Sequence, residues 1–298
     1  MGIEFLKHDD IDYECWQECT ESSPNNSVYS STWFLDSVSP GWSALVYGDY
    51  EAVMPVHFSD GVMCTPEYTD WIGIYGANGL TDRRIVNAFL DFISVNFKYV
   101  DICLDKFSYS RKPVKGRILY HSFYQFDTVT GVRERVGSTS PTVKKMMMKL
   151  GREGFSFQDV PLSAHIGAQM RSRGTLSSKS TETLARLTEN ASKNKSWIAF
   201  YMKDKDGKTA GTVTVVYDSN YVYIPFMTVE RGYNTEVGQM IMIYQILTFF
   251  ENSSAVLVTD PERLGINEKL LAGMGAERHF YRCYRIDRIS KIRDFFKF

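Results

Sequence analysis

Apolar and polar positions follow one order along this chain, and that order occurs twice. The first pass opens at Trp42 with the strand-like run WSALVYG and its hairpin partner EAVMPVHF. It continues through WIGIYG, a helical period opening at Thr81 (TDRRIVNAFLDFISVNF), and the short apolar run YVDICLD ending at Asp105. The second pass opens at Trp197 with WIAFYMK, then TAGTVTVVY and YVYIPFMTV. A helical period from Thr235 (TEVGQMIMIYQILTFF) and AVLVTD ending at Asp260 complete it. Strands are set by period-two or continuous apolar runs, helices by apolar positions three and four apart. Trp to Trp, helix start to helix start and Asp to Asp, the offset is about 155 residues. A constant offset at three landmarks predicts a tandem duplication of one βββαβ unit.

The flanking segments repeat too. The helix YSSTWFLDSV precedes the first set of strands and STETLARLTENASKN the second. GDY, SDG, DKDGK and DSN supply the hairpin turns. PERLGINEKLLAGMGAE is predicted as one helix closed by Gly275, with HFYRCYRID as the final strand and HSFYQFD as its counterpart in the first copy. Between the copies, STSPTVKKMMMKLGREG predicts a helix with one basic side. The boundaries that follow are 1–137 for the first domain, 138–160 for the basic linker, 161–286 for the second domain and 287–298 for a C-terminal helix. In that last helix Ile289, Ile292, Phe295 and Phe296 form an apolar face expected to pack back on the first domain.

Composition narrows the class. The 298 residues are 44% hydrophobic and 23% charged, enough apolar material for two cores. The formal net charge of -1 supplies no global attraction to nucleic acid or membrane, so either partner needs a local patch. No apolar stretch reaches a membrane span. The start, MGIEFLKHDD, lacks the pattern of a signal peptide. The five cysteines are odd in number and sit mostly inside apolar runs, which reads as buried thiols in a reducing, cytoplasmic compartment. No spacing of His and Cys suits a metal.

Strand-strand-strand-helix-strand, then a helix and a last strand, resembles the GNAT acyltransferase fold. In that fold the central strands splay and open a cleft. Two such units in tandem resemble the FemABX family of aminoacyl and peptidyl transferases. YSSTWFLDSVSPGWSALVYGDYEAVMPVHF is similar to that family's opening, PEYTDWIGIYG to its P-x-aromatic-x-Gln-x-Leu-Gly stretch, and SPTVKKMMMKLGREGFSF to its interdomain helix. The resemblance implies an α/β (α+β) fold of two tandem GNAT-like domains. Each has a mixed, mostly antiparallel central sheet flanked by helices. It implies a bacterial-type, monomeric transferase that forms an amide from a substrate amine and an activated donor, aminoacyl-tRNA or acyl-CoA. Where acyl-CoA enzymes carry a glycine-rich pyrophosphate loop, this chain reads RGYNTEVG and GANGLTDR, and no cofactor is assigned. A catalytically degenerate pair of GNAT domains that binds a ligand or partner is the alternative.

Candidate residues follow from these placements. Asp260 ends a strand where GNAT strands splay and is read either as a base or amine-orienting group or as a helix N-cap before Pro261. Tyr223 and Tyr281 are candidate proton donors, or core aromatics at strand spacing. Tyr68, Asp70 and Tyr75 are candidates for holding the acceptor, since a phenol stacks and hydrogen-bonds and a carboxylate binds an ammonium, or Tyr68 and Asp70 form a surface strand end. Lys144, Lys145, Lys149 and Arg152 are candidates for phosphate contact with tRNA, or a solvated helix face.

Overall fold

A computed structural model describes residues 2–77, 82–108, 116–132, 134–135, 139–145, 154–159 and 177–287. In chain order the strands and α-helices are β1 Ile3–Leu6, α1 Tyr13–Glu21, α2 Thr32–Val38, β2 Ser43–Tyr47, β3 Ala52–Val56, β4 Phe58–Ser59, β5 Val62–Cys64, β6 Tyr75–Gly76, α3 Arg83–Asn96, β7 Tyr99–Leu104 and β8 Arg117–Asp127. After them come β9 Ser156–Asp159, α4 Ser178–Lys193, β10 Trp197–Lys203, β11 Thr209–Tyr217, β12 Tyr221–Val229, α5 Thr235–Phe249, β13 Val256–Thr259, α6 Pro261–Leu264, α7 Glu268–Gly273 and β14 Glu277–Asp287. The chain forms two compact units. One is Met1–His121 together with the chain from Phe280; the other is Ser122–His279.

The expected repeat is present. Trp42 immediately precedes β2 and Trp197 opens β10; Asp105 follows β7 and Asp260 follows β13. The closing strands are shared out in a way the sequence does not reveal. Tyr124–Asp127 of β8 pair with β13 in the second unit, and Arg282–Asp287 of β14 pair with β7 in the first. Both closing strands carry the same aromatic alternation, so nothing local says which sheet each one joins.

In the first unit, β2 and β3 have layers on both faces. Leu45 and Met54 pack with Val86, Phe89, Leu90 and Ile93 of α3, and with Tyr284 and Ile286 of β14. Ala44, Val46 and Val53 face the other way, onto Trp16 of α1, Leu35 of α2, Trp42 and Tyr75. That explains why β3 is buried at every position. Asp60 and Gly61 join β4 to β5 with φ of 51° and 79°, the left-handed pair that a two-residue hairpin needs. Helix α3 starts at Arg83, with the Asp82 carboxylate capping Arg84 N–H. Thr81, where the helical period was expected to open, lies outside the described residues, as do Lys149, Arg152 and the tail beyond Asp287.

In the second unit, β10, β11 and β12 form an antiparallel meander, and β12 then pairs in parallel with β13. Helix α5 covers them and is buried over most of its circumference, including Met240, Met242, Ile243, Ile246 and Leu247. The single helix expected from Pro261 is two. Gly265, at φ 61°, ends α6 in the left-handed conformation, and Asn267 caps α7 through Lys269 N–H. The cysteine expectation is also corrected. Cys103 and Cys283 stand directly opposite on β7 and β14 and form a disulfide. Two residues 180 positions apart give no local sign of that pairing. Cys15, Cys19 and Cys64 take no part in that disulfide.

Candidate functional site

In the first unit the third strand is not continuous. Met63 and Cys64 pair in parallel with Val100 and Asp101, and the chain then leaves the sheet until Ile72 bridges Leu104. The excursion 65–71 begins with Thr65, whose hydroxyl accepts from Cys103 N–H at 2.7 Å in place of a backbone carbonyl. Pro66 follows and brings no amide hydrogen of its own. A turn closes through Thr69 N–H to Pro66 O at 3.3 Å, with Tyr68 at φ 63°. A bulky residue in that region is rare, and such backbone is concentrated at functional sites. Gly73 completes the return, because a Cβ there would stand 2.6 Å from the Tyr75 ring and 2.9 Å from the Asp105 carboxylate.

This excursion carries Asp70 to an aromatic cluster, and Tyr68, in the same turn, is buried. Asp70 is 3% exposed and accepts a hydrogen bond from Tyr29 Oη at 2.8 Å. The Tyr29 ring lies edge-on to Trp71 at 5.7 Å and close to Phe34 at 5.0 Å. Trp71 meets Tyr281 at 6.3 Å, and Tyr281 stacks on the half-buried His121 at 5.8 Å and 8°. A buried carboxylate is suited to a cation by charge. Tyr75, the third expected acceptor residue, is instead fully buried among Trp16, Trp42 and Val53. Tyr29, Trp71 and His121 were not among the expected residues. The Tyr29 and Trp71 motifs were visible, but their meeting depends on the fold.

Asp105 sits behind the cluster as a structural group. One oxygen accepts from Phe107 N–H at 3.0 Å and Ser108 N–H at 2.6 Å, the other from Asn25 Nδ2 at 2.5 Å. Burial pushes its carboxyl above the ordinary value, and these hydrogen bonds act in the opposite direction.

The second unit places Asp260 and Tyr223 at the parting of two strands. Parallel pairing runs from Tyr221–Val256 to Tyr223–Val258 and stops, while β12 continues to Val229. At the same point the β11–β12 register shifts between Thr214 and Val216, a bulge that takes in Ile224 and Pro225. Pro225 brings no N–H to the bulge. The carbonyls of Ile224 and Pro225 both accept from Nη1 of Arg263, at 2.9 and 3.1 Å. Asp260, 5% exposed, is the N-cap of α6, its Oδ1 accepting from Arg263 N–H at 3.0 Å. Tyr223 is a buried strand residue 5.8 Å from Tyr221.

A cavity of about 420 Å³ lies beside the start of α5, lined by Phe155, Met202, Asp204, Tyr233 and Val237 among others. Two of its polar groups engage each other, and Lys205 lines it as well: Tyr233 Oη donates to Asp204 at 2.6 Å, which holds that carboxyl low and pushes the phenol up to about 12. The helix start is capped by the Asn234 side chain on Val237 N–H and carries Glu236 in its first turn. An acid in the first turn opposes a phosphate at this terminus. Of the basic linker, Lys144 is half-buried and Lys145 exposed.

The two units define a tandem GNAT-like, FemABX-like fold. The chain is similar in structure to FemX (TM-score 0.58, 8% identity, covering 98% of this chain and 99% of that one). It is also similar to L-PGS from Bacillus licheniformis (TM-score 0.57, 11% identity, 95% and 94%). A tandem GNAT protein from the clavulanic acid biosynthesis pathway matches as well (TM-score 0.50, 11% identity, 95% and 97%). No family model matches the sequence, and no curated protein matches it. No described helix is long and apolar enough to cross a membrane.

Proposed function

We propose that the chain is a transferase that joins an amine to an activated acyl or aminoacyl group, with the first unit holding the amine. The observation that carries this is the buried Asp70–Tyr29 pair, walled by Trp71 and set on a backbone excursion with Tyr68 in the left-handed region. Asp70 binds the incoming ammonium and fixes its position; Trp71 and Tyr281 flank it. The ammonium must shed a proton before its nitrogen attacks the donor carbonyl carbon. The side chain assigned to accept that proton is His121, whose ring stacks on Tyr281. A C–N bond forms, and the bond from that carbon to the leaving oxygen or sulfur breaks. The leaving group takes up a proton. An aminoacyl ester on tRNA suits this chain better than an acyl-CoA, because Glu236 and Asn234 occupy the helix start where a pyrophosphate would bind. Lys144 and Lys145 then serve the tRNA backbone.

Full-length protein incubated with charged tRNA and a panel of primary amines tests this, read by mass spectrometry for the amide. Wild type is expected to form product. Asp70→Asn is expected to raise KM for the amine at least tenfold, with kcat changed less. No product with aminoacyl-tRNA or acyl-CoA across the panel, and no amine-dependent rise in Tm, would leave the reading without support. The second reading, a degenerate pair of domains that only binds, is favoured by the filled gap between β12 and β13. It predicts an amine-dependent Tm without product.

A further inference from the structure

Where pairing between β12 and β13 stops, after Tyr223–Val258, the next two carbonyls of β12 are taken up by the protein itself. A strand whose neighbour has parted offers unpaired backbone groups, and an extended chain bearing amides docks on such an edge by main-chain pairing. Successive carbonyls on a regular strand point to opposite sides. The bulge at Ile224 and Pro225 changes that, so both carbonyls converge on one donor. That donor is Arg263, carried at the third position of α6, whose start is fixed by buried Asp260 and by Pro261. The guanidinium thus takes up the two acceptors that an amide-bearing arm would use. Pro225 brings no amide hydrogen of its own to this stretch.

We propose that Arg263 is a specificity-determining residue. Its side chain closes the second unit's strand gap to donors that bind through a linear chain of amides, leaving donors held by other means. The inference deepens the transferase reading by naming the donor class that is shut out. The slot is latent: the strand edge and both carbonyls remain, and one side chain covers them.

The test is calorimetric binding of pantetheine, which has two amides and no phosphate, to the full chain. Using it in place of coenzyme A removes any contribution from nucleotide phosphates at the start of α5. Wild type is expected to bind pantetheine weakly, and Arg263→Ala at least tenfold more tightly. Ethylguanidinium, which refills the vacated position, is expected to compete with pantetheine in the variant and not in wild type. Equal affinity for both proteins overturns the proposal, as does a folded Arg263→Ala, shown by unchanged near-ultraviolet circular dichroism, with no gain. If Arg263→Ala does not fold, Arg263→Gln, which is shorter and keeps one donor group, is judged by the same two outcomes. The readout contains no catalysis, so a failure of the transferase assay and a failure of this test are separate results.

Discussion

Asp105 and Asp260 show how one repeated position serves two purposes. Both end a strand, both are buried, and both spend carboxylate oxygens on backbone N–H groups of the following turn. Asp105 adds Asn25, and its carboxyl is raised above the ordinary 3.8 by burial. The native state therefore keeps that proton to higher pH than the unfolded chain. The contribution is most favourable below the unfolded value and is lost as pH rises through the native one. The difference in unfolding free energy between wild type and Asp105→Asn is expected to move in the variant's favour as pH rises from 3 to 7. Urea unfolding across that range measures it, and a difference that is constant with pH would contradict the assignment. At this scale the sequence was partly legible. Tyr68 and Asp70 were visible because they lie inside a motif with a family likeness. Asp260 was visible as a cap because Asp followed by Pro has a local meaning. Arg263 was not, since its two acceptors lie on a strand 38 and 39 residues away and are brought to one side by a bulge.

Between residue and molecule, the elements that differ from expectation do so where a glycine or proline changes the backbone. The run from Pro261 carries helix-forming residues throughout, yet Gly265 at φ 61° ends α6 and lets Asn267 start α7. An added Cβ at Gly265 meets nothing within 4 Å, so only backbone conformation opposes a side chain there. Gly265→Ala is expected to destabilise by about 1 kcal/mol, and Gly265→Asn by less, because Asn tolerates the left-handed region. Chemical denaturation of the two variants compares them directly. The WIGIYG run is another case. Its apolar content suggested a strand, but Ile74 N–H donates to Ser108 Oγ at 2.7 Å instead of a sheet neighbour, and the strand breaks. Helices α3 and α4 were legible from apolar positions three and four apart, and α5 and strands β10 to β13 from nearly continuous apolar runs. For the linker, reversing Lys144 and Lys145 to Glu is expected to weaken tRNA binding. The slope of log affinity against log salt should shrink by about one unit for each phosphate that is no longer neutralised. An unchanged slope would make both lysines part of a solvated surface.

On the scale of the whole molecule, the fold class and the duplication were readable, and the ownership of the closing strands was not. The Cys103–Cys283 disulfide joins β7 to β14 within the first unit across 180 residues of sequence. A cross-link closing so long a loop restricts the unfolded chain strongly, typically by about 2–4 kcal/mol. Dithiothreitol is expected to lower the Tm of wild type to that of Cys103→Ser, and to leave the variant's Tm unchanged. The second unit, Ser122–His279, interrupts the first, and its own ends meet: the Phe123 ring stacks on His279 at 5.5 Å. During synthesis from the N-terminus, the ribosome has delivered the whole interrupting unit before the strand that completes the interrupted one. The inner body can mature on the nascent chain while β7 still waits with one edge bare, the exposure that most invites mispairing. Birth order and assembly order are thus reversed: the half that emerges first is finished last. Chains ending at His279 and released from the ribosome should protect the inner body from protease while leaving the outer one open to cleavage.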